Sequence, residues 1–385
     1  TTLGAGYQYM GVAQPSTNPG TPDARVMYLA YLPGTYVNFG GLTVTGFCVL
    51  KYDTVWSKED IPISGGGGGA DFLTEPDDLT LETVGNTQVL KFANRAYNNN
   101  TPNGLGYKIL RGGLTFAEQV TEPNTIYEIR YDFDLNNAEI SLPADSILFF
   151  NGGTLDNGTI VGDGAQINTC ENLPVFGKTC KLLGTWKNKE FLVDWWDCYA
   201  DGTHDDYAVL KGIAQTINAN GGGKVVFGFQ KTYYFALTFC DQSSSTINTK
   251  DILFDMTTNC VLDLNGSTLK CAPNDYIKFS YIRFTNCNFL IKNGFIVGDK
   301  VNHDYSFGGT QELGWGIEVR GATGKIENMD ISMMLADAIY IWKNYNLSNW
   351  SIISSGDVVV ENCKLHNCRR QGISFTGNNF FEIKN

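Results

Sequence analysis

Two short patterns recur through the second half of the chain, and they constrain its fold more than any other feature. One opens on asparagine: Asn265-Gly-Ser-Thr-Leu, Asn293-Gly-Phe-Ile, Asn328-Met-Asp-Ile and Asn362-Cys-Lys-Leu, with Asn385 where the next would begin. The intervals are 28, 35, 34 and 23 residues, the longer ones carrying insertions at 299–314 and 343–357. The other pattern reads Gly316-Ile-Glu-Val, Ala338-Ile-Tyr-Ile and Gly372-Ile-Ser-Phe, its first two copies 22 residues apart. Repeats of this period mean stacked units that bury a core only through their neighbours. Asparagine suits the corner of such a unit because it tolerates the left-handed backbone and its amide can bond along the stack.

The expectation is therefore an all-β chain dominated by a parallel β-helix. A β-sandwich or jelly roll would explain the short strands but not the two columns. In register, Ile317, Ile339 and Ile373 stack inward, as do Val319, Ile341 and Phe375, while Glu318, Tyr340 and Ser374 face solvent. Because the chain ends inside a repeat, it is expected to be truncated at its C-terminus, since a β-helix needs a cap over its last strand edges.

Four segments follow from the punctuation. Residues 1–63 read as a glycine-rich β module with strands near 26–30 and 49–52. Ser64 and the run Gly65–Gly69 open a linker and bridging segment, 64–106, in which residues 89–92 read as strand and 97–103 are rich in asparagine. Residues 107–190 form a β-helix-like module of short strands, and residues 191–385 form the main stack. One helix is predicted at 205–219. Asp205 or Asp206 caps its start, Leu210, Ile213, Ala214 and Ile217 share a face, and Gly221-Gly222-Gly223 ends it. A helix there would cover the open end of a sheet stack.

Composition narrows the function. With 28 Lys and Arg against 40 Asp and Glu the formal charge is −12, which removes the positive field that nucleic acid or anionic lipid would need. No run of about 18 apolar residues occurs, so no membrane insertion is expected. The ten cysteines include no Cys-x-x-Cys pair and the three histidines are scattered, so no zinc site is predicted. The cysteines sit in apolar strand patterns and read as buried thiols of a chain made in a reducing cytosol.

Two resemblances bear on the whole. The segment from Asp201-Gly202-Thr203-His204-Asp205-Asp206 through Gly221-Gly222-Gly223-Lys224-Val225 to Thr232-Tyr233-Tyr234 resembles the opening of pectate-lyase-superfamily β-helices. It departs at 227–231, where that family has a Leu-Pro-x-Gly turn, and at Ala200, where a glycine is usual. That resemblance implies a right-handed parallel β-helix with a capping α-helix. Gly11-Val12-Ala13-Gln14-Pro15, Gly34-Thr35-Tyr36, Phe39-Gly40-Gly41, Leu90-Lys91-Phe92-Ala93-Asn94-Arg95 and Ile126-Tyr127-Glu128-Ile129 resemble segments of tail proteins from phages and prophages of gut Bacteroidetes. This second resemblance implies a virion component made in the host cytoplasm: a tail fibre, tailspike or baseplate appendage. It would be a homotrimer, attached to other tail or baseplate proteins through its N-terminal region and facing host surface polysaccharide. No cofactor is implied.

Three functions then compete: structural and host-glycan adhesion, depolymerisation of capsular polysaccharide, and a secreted bacterial lyase or hydrolase. Cleavage would need two carboxylates across a glycosidic bond or a base beside a metal-neutralised uronate. Residues 299–376 offer Asp299, Asp304, Glu312, Glu318 and Asp337. The candidate catalytic pair is Glu318 and Asp337, on neighbouring coils with backbones roughly 11 Å apart by strand spacing. Trp315 and Tyr340 are candidate sugar platforms, and Arg369 and Arg370 could grip an acidic sugar. The carboxylates could equally be solvated surface, and the arginines could merely pair with Asp and Glu of adjacent coils. Asp201, Asp205 and Asp206 read as a helix cap or, alternatively, as a calcium cluster.

Overall fold

The structure, a computed structural model, describes strands Gln8–Ala13, Met27–Tyr31, Gly46–Asp53, Val55–Pro62, Leu79–Val84 and Thr87–Phe92, then residues 106–170, 173–237, 252–307, 311–346, 348–377 and 379–385. Contacts divide the chain into Thr1–Arg95 and Ala96–Asn385. In the first unit four strands pair antiparallel in chain order, and Leu79–Val84 pairs with Thr87–Phe92. The strands expected at 49–52 and 89–92 fall inside these elements, and the one expected near 26–30 overlaps Met27–Tyr31. The glycine run at 65–69 and the asparagine-rich stretch at 97–103 lie outside the described residues.

The second unit is all-β, and its long ladders are parallel. From residue 223 onward three ladders run side by side. The first carries the inward row Val225, Leu262, Ile291, Ile326 and Val360, continued in register by Ile383, which is 59% exposed. The second carries Tyr233, Leu269, Ile296, Ile331 and Leu365. The third aligns Phe254, Ile282, Ile317, Ile339 and Ile373, beside Met256, Phe284, Val319, Ile341 and Phe375. Both aligned triplets expected from sequence are present. Phe375 departs in one respect: it is 43% exposed and stacks on Phe381 at 5.1 Å.

The asparagine column marks the corner between the first two ladders. Asn265, Asn293, Asn328 and Asn362 take φ of 51°, 61°, 53° and 50°. An L-residue pays about 1–2 kcal/mol to sit there, and asparagine recovers part of it by bonding its amide locally. Here the amides bond along the stack: Asn328 Nδ2 donates to Asn293 Oδ1 at 3.2 Å, and Asn293 Nδ2 donates to Asp263 Oδ1 at 3.0 Å. A shorter-period stack precedes these ladders, aligning Tyr127, Leu148 and Ile167 in one row and Ile140, Ile160 and Leu182 in another.

The helix Tyr207–Ala219 buries Leu210, Ile213, Ala214 and Ile217, the predicted face. Asp206 occupies the capping position without a side-chain cap bond, whereas Asp205 Oδ1 takes the Tyr207 N–H at 2.9 Å. At the other end Gly222 has φ 130°, and a Cβ there would meet Asn259 O at 2.4 Å. The helix covers two strand edges at once. Thr216 Oγ1 donates to Leu182 O at 2.8 Å and Trp186 N donates to Asn220 Oδ1 at 2.6 Å on one side. On the other, Asn218 Nδ2 donates to Asp255 O at 2.6 Å and Lys211 Nζ donates to Ile252 O. Backbone groups that would otherwise template foreign strands are thereby occupied.

Of the described cysteines, 180, 260, 271 and 287 are buried and 170 is exposed. Burial pushes the Cys180 thiol up to about 12, the behaviour of a small hydrophobe rather than a nucleophile.

The asparagine corners make a direct prediction. Asn328→Ala should lower stability by about 1–2 kcal/mol in urea titrations, through left-handed strain and loss of the Asn293 bond. Asn328→Gly should cost less, because glycine carries no Cβ penalty. Equal losses for the two variants would refute the conformational argument.

Candidate functional site

The third ladder has an outer face that does not behave as solvated surface. Its strands Ile252–Met256, Lys278–Thr285, Leu313–Arg320, Ile339–Trp342 and Ile373–Phe375 place Asp255, Arg283, Glu318, Tyr340 and Ser374 in one outward row. Asp255 takes two bonds from Arg283, at 3.0 and 2.9 Å. Glu318, expected in solvent, has a side chain 0% exposed. Its Oε1 accepts from Arg320 Nη2 at 2.9 Å and Trp342 Nε1 at 3.1 Å, and its Oε2 accepts from Ser280 Oγ at 2.9 Å. Ser374 is buried as well.

The cause is a second layer laid on the sheet. Trp315 stacks on Tyr340 with ring centroids 4.2 Å apart and planes 4° from parallel. Trp315, Ile252 and Ala336 form a small apolar cluster, against which Leu313 and Tyr340 pack. Trp315 is therefore mostly buried, and the platform expected from it is its neighbour's: Tyr340 remains half-buried.

Further rings extend the layer. Tyr340 lies 6.0 Å from Trp342, Trp342 lies 6.3 Å from Tyr345, and Tyr345 lies 6.2 Å from Trp350. Trp342 and Tyr345 are half-buried and Trp350 is 68% exposed. The last two belong to a hairpin in which Asn344–Asn346 pairs antiparallel with Ser351–Ser354, inside the expected insertion. Asn344 Nδ2 anchors this hairpin on Asn286 Oδ1 at 3.0 Å. The Arg320 guanidinium lies 4.6 Å from the Trp342 ring centroid. A graded line of rings, buried at Trp315 and open at Trp350, can offer flat apolar faces to a ligand made of polar-edged rings. Trp342 was within reach of sequence reading, since it follows Tyr340 by two on the same strand. Tyr345 and Trp350 were not, because nothing in an insertion fixes its return to the sheet.

Asp337 joins a different network from Glu318. Its side chain is 0% exposed, its Oδ1 takes the Gln371 N–H at 3.0 Å, and Arg370 Nε is 4.0 Å away. Glu318 bonds to residues 280, 320 and 342, and Asp337 to residues 370 and 371, so the two carboxylates share no bonded partner. The arginines brace the other insertion. Arg369 Nη1 donates to Gln311 O at 2.8 Å, and Arg370 Nη1 donates to Glu312 O at 3.3 Å. Lys300 Nζ completes the strap on Asn367 O at 2.8 Å. Asp299, expected on the exposed face, is buried against His303, Nδ1 to Oδ2 at 2.6 Å, and accepts from Asn274 Nδ2 at 2.8 Å.

The acidic cluster at the helix start divides its carboxylates among backbone donors. Asp201 Oδ1 takes the N–H groups of Thr203 and His204 at 2.8 and 2.9 Å, and Asp206 takes those of Tyr199 and Ala200 at 2.7 and 3.0 Å. The His204 backbone and imidazole bonds hold the Asp201 carboxyl well below its usual range.

No family model matches the chain, and no solved structure matches it. The SPbeta prophage-derived uncharacterized protein YorA of Bacillus subtilis (strain 168) is 35% identical over 114 residues, 27% of this chain and 19% of YorA. The uncharacterized protein YclG of the same organism is 30% identical over 94 residues, 23% of this chain and 16% of YclG. The chain thus spans less than a fifth of either relative.

The strap is testable alone. Arg369→Ala should speed tryptic cleavage after Lys300 several-fold while leaving the global unfolding midpoint nearly unchanged, as for a local opening. An unchanged cleavage rate would show that Arg369 does not hold the insertion.

Proposed function

We propose that residues 191–385 are a right-handed parallel β-helix of the pectate-lyase-like kind, preceded by a β-helix-like module at 107–190, and that they serve in a phage or prophage tail fibre, tailspike or baseplate appendage as a structural and host-glycan adhesion element. The observation that carries the reading is the line of aromatic rings from Trp315 to Trp350 along one outer face. Sugars present apolar C–H faces and polar edges, and half-buried rings on a rigid ladder bind them with little entropy to lose. Three parallel ladders, the first two cornered by asparagine, support the β-helix, and the similarity to a prophage-derived protein supports the phage setting. The acidic charge suits a partner other than nucleic acid.

Adhesion is favoured over cleavage by the state of the two carboxylates offered for catalysis. Glu318 accepts from three donors that belong to the fold, and Asp337 lies buried in a separate network, its Oδ1 bonded and its Oδ2 without a hydrogen-bond partner. Both side chains are 0% exposed, whereas an acid and a base must reach a glycosidic bond lying between them.

The test is binding of purified protein to host capsular polysaccharide by affinity electrophoresis, with released oligosaccharides assayed in parallel. Retardation without product is expected. Trp350→Ala should weaken binding about tenfold, the effect of losing one exposed anchor. Light scattering should give three chain masses. Wild-type retardation of Trp350→Ala, or rapid product release, would overturn the adhesion reading.

A further inference from the structure

The environment of Glu318 points to a role other than acid–base chemistry. It sits in the outward row of the third ladder, yet its side chain is 0% exposed. Every acceptor direction it uses is filled from a residue of the aromatic layer or its support: Trp342 Nε1 and Arg320 Nη2 on Oε1, Ser280 Oγ on Oε2. Trp342 is the central ring of the line, flanked by Tyr340 and Tyr345. An indole has a single polar atom, its N–H, so a fixed acceptor there sets the rotation of the ring in its own plane. Arg320 lies over the same ring and is itself tied to Glu318, which fixes the ring from one face. The carboxylate therefore controls both the edge and one face of Trp342.

We infer that Glu318 is a positioning residue for the sugar-stacking ring Trp342, acting through the indole N–H and through Arg320, and takes no part in bond cleavage. The inference rests on reading the aromatic line as a glycan face, but the Glu318–Trp342 coupling can be measured without any glycan. Burying a carboxylate is costly unless donors replace water, and three donors converge here. A glutamine could reproduce all three contacts. Its carbonyl oxygen would accept from Arg320 and Trp342, and its amide would donate to the Ser280 hydroxyl. A leucine could reproduce none.

The glycan-free experiment follows the Trp342 indole N–H by NMR, assigned through its absence in Trp342→Phe. In wild-type protein this proton should exchange slowly and shift downfield. Glu318→Gln should leave it protected, and Glu318→Leu should raise its exchange at least about tenfold, with circular dichroism confirming the fold. Ser280→Ala serves as a milder second variant should Glu318→Leu fail to fold, and it should give a smaller increase in exchange. Unchanged exchange in both variants would overturn the inference.

Affinity for capsular polysaccharide gives the second arm. Glu318→Gln should bind within about threefold of wild type, and Glu318→Leu should lose about as much as Trp342→Ala. In a Trp342→Ala background, Glu318→Leu should add nothing, because the two changes act through one ring. Additive losses would overturn the inference while leaving the glycan reading intact. Wild-type binding by both Trp342→Ala and Trp350→Ala would instead sink the glycan reading, and the exchange result would still decide whether Glu318 orients the ring. Release of oligosaccharides by wild type but not by Glu318→Gln would restore Glu318 to catalysis.

Discussion

Parallel pairing from coil to coil is the constraint on which the rest of residues 106–385 depends. Parallel strands cannot be joined by tight hairpins, so each strand finds its partner only after a longer connection, and on the proposed β-helix that connection is a full circuit. Every circuit must then return at the right height and in the right register, because a slip of one residue would exchange core and surface along the whole strand. The left-handed corners at Asn265, Asn293, Asn328 and Asn362 supply that fixed return between the first two ladders. Bonds between corner side chains of successive coils, such as Asn328 to Asn293, link one return to the next. The helix Tyr207–Ala219 answers the same constraint at strand edges, bonding to backbone groups at Leu182 and Trp186 and at Ile252 and Asp255.

The inward half of this arrangement was legible in the sequence. The rows through Ile317 and Val319 recur at a readable period, and buried aliphatic positions obey the alternation of a strand closely. The outward half was less so. Alternation assigns Glu318 and Ser374 to the outside of the sheet, which is correct, but outside the sheet is not outside the protein. Trp315, Tyr340 and Trp342 are large enough to roof the face on which they stand, and their neighbours are buried as a result. Composition records the aromatic residues without recording which way they lean. Insertions hide still more: from sequence Arg369 and Arg370 could grip an acidic sugar or pair with neighbouring carboxylates, and their bonds to the carbonyls of Gln311 and Glu312 were not foreseen.

Burial of charge on an outer face has a consequence for how such a surface can act. Asp255 with Arg283 and Glu318 with Arg320 form two compensated pairs in adjoining positions, so the face carries polar groups without a strong net field. Pairs of this kind are weak contributors to stability, since their attraction is largely offset by lost hydration, but breaking one partner leaves an uncompensated charge. They favour a single arrangement over the alternatives a purely apolar layer would allow. A ring held by such a pair loses little freedom when a ligand stacks on it, and the cost of immobilising the binding surface is met during folding rather than at the moment of contact. Were the face to serve adhesion as proposed, a stiff array of modest contacts would gain most from repetition. Each further copy of the face engaged on one polymer adds binding at high local concentration. If the face binds host glycan as proposed, the strength of attachment would come from repeated engagement and the rigidity from the stacked strands, and a buried carboxylate such as Glu318 belongs to the rigidity.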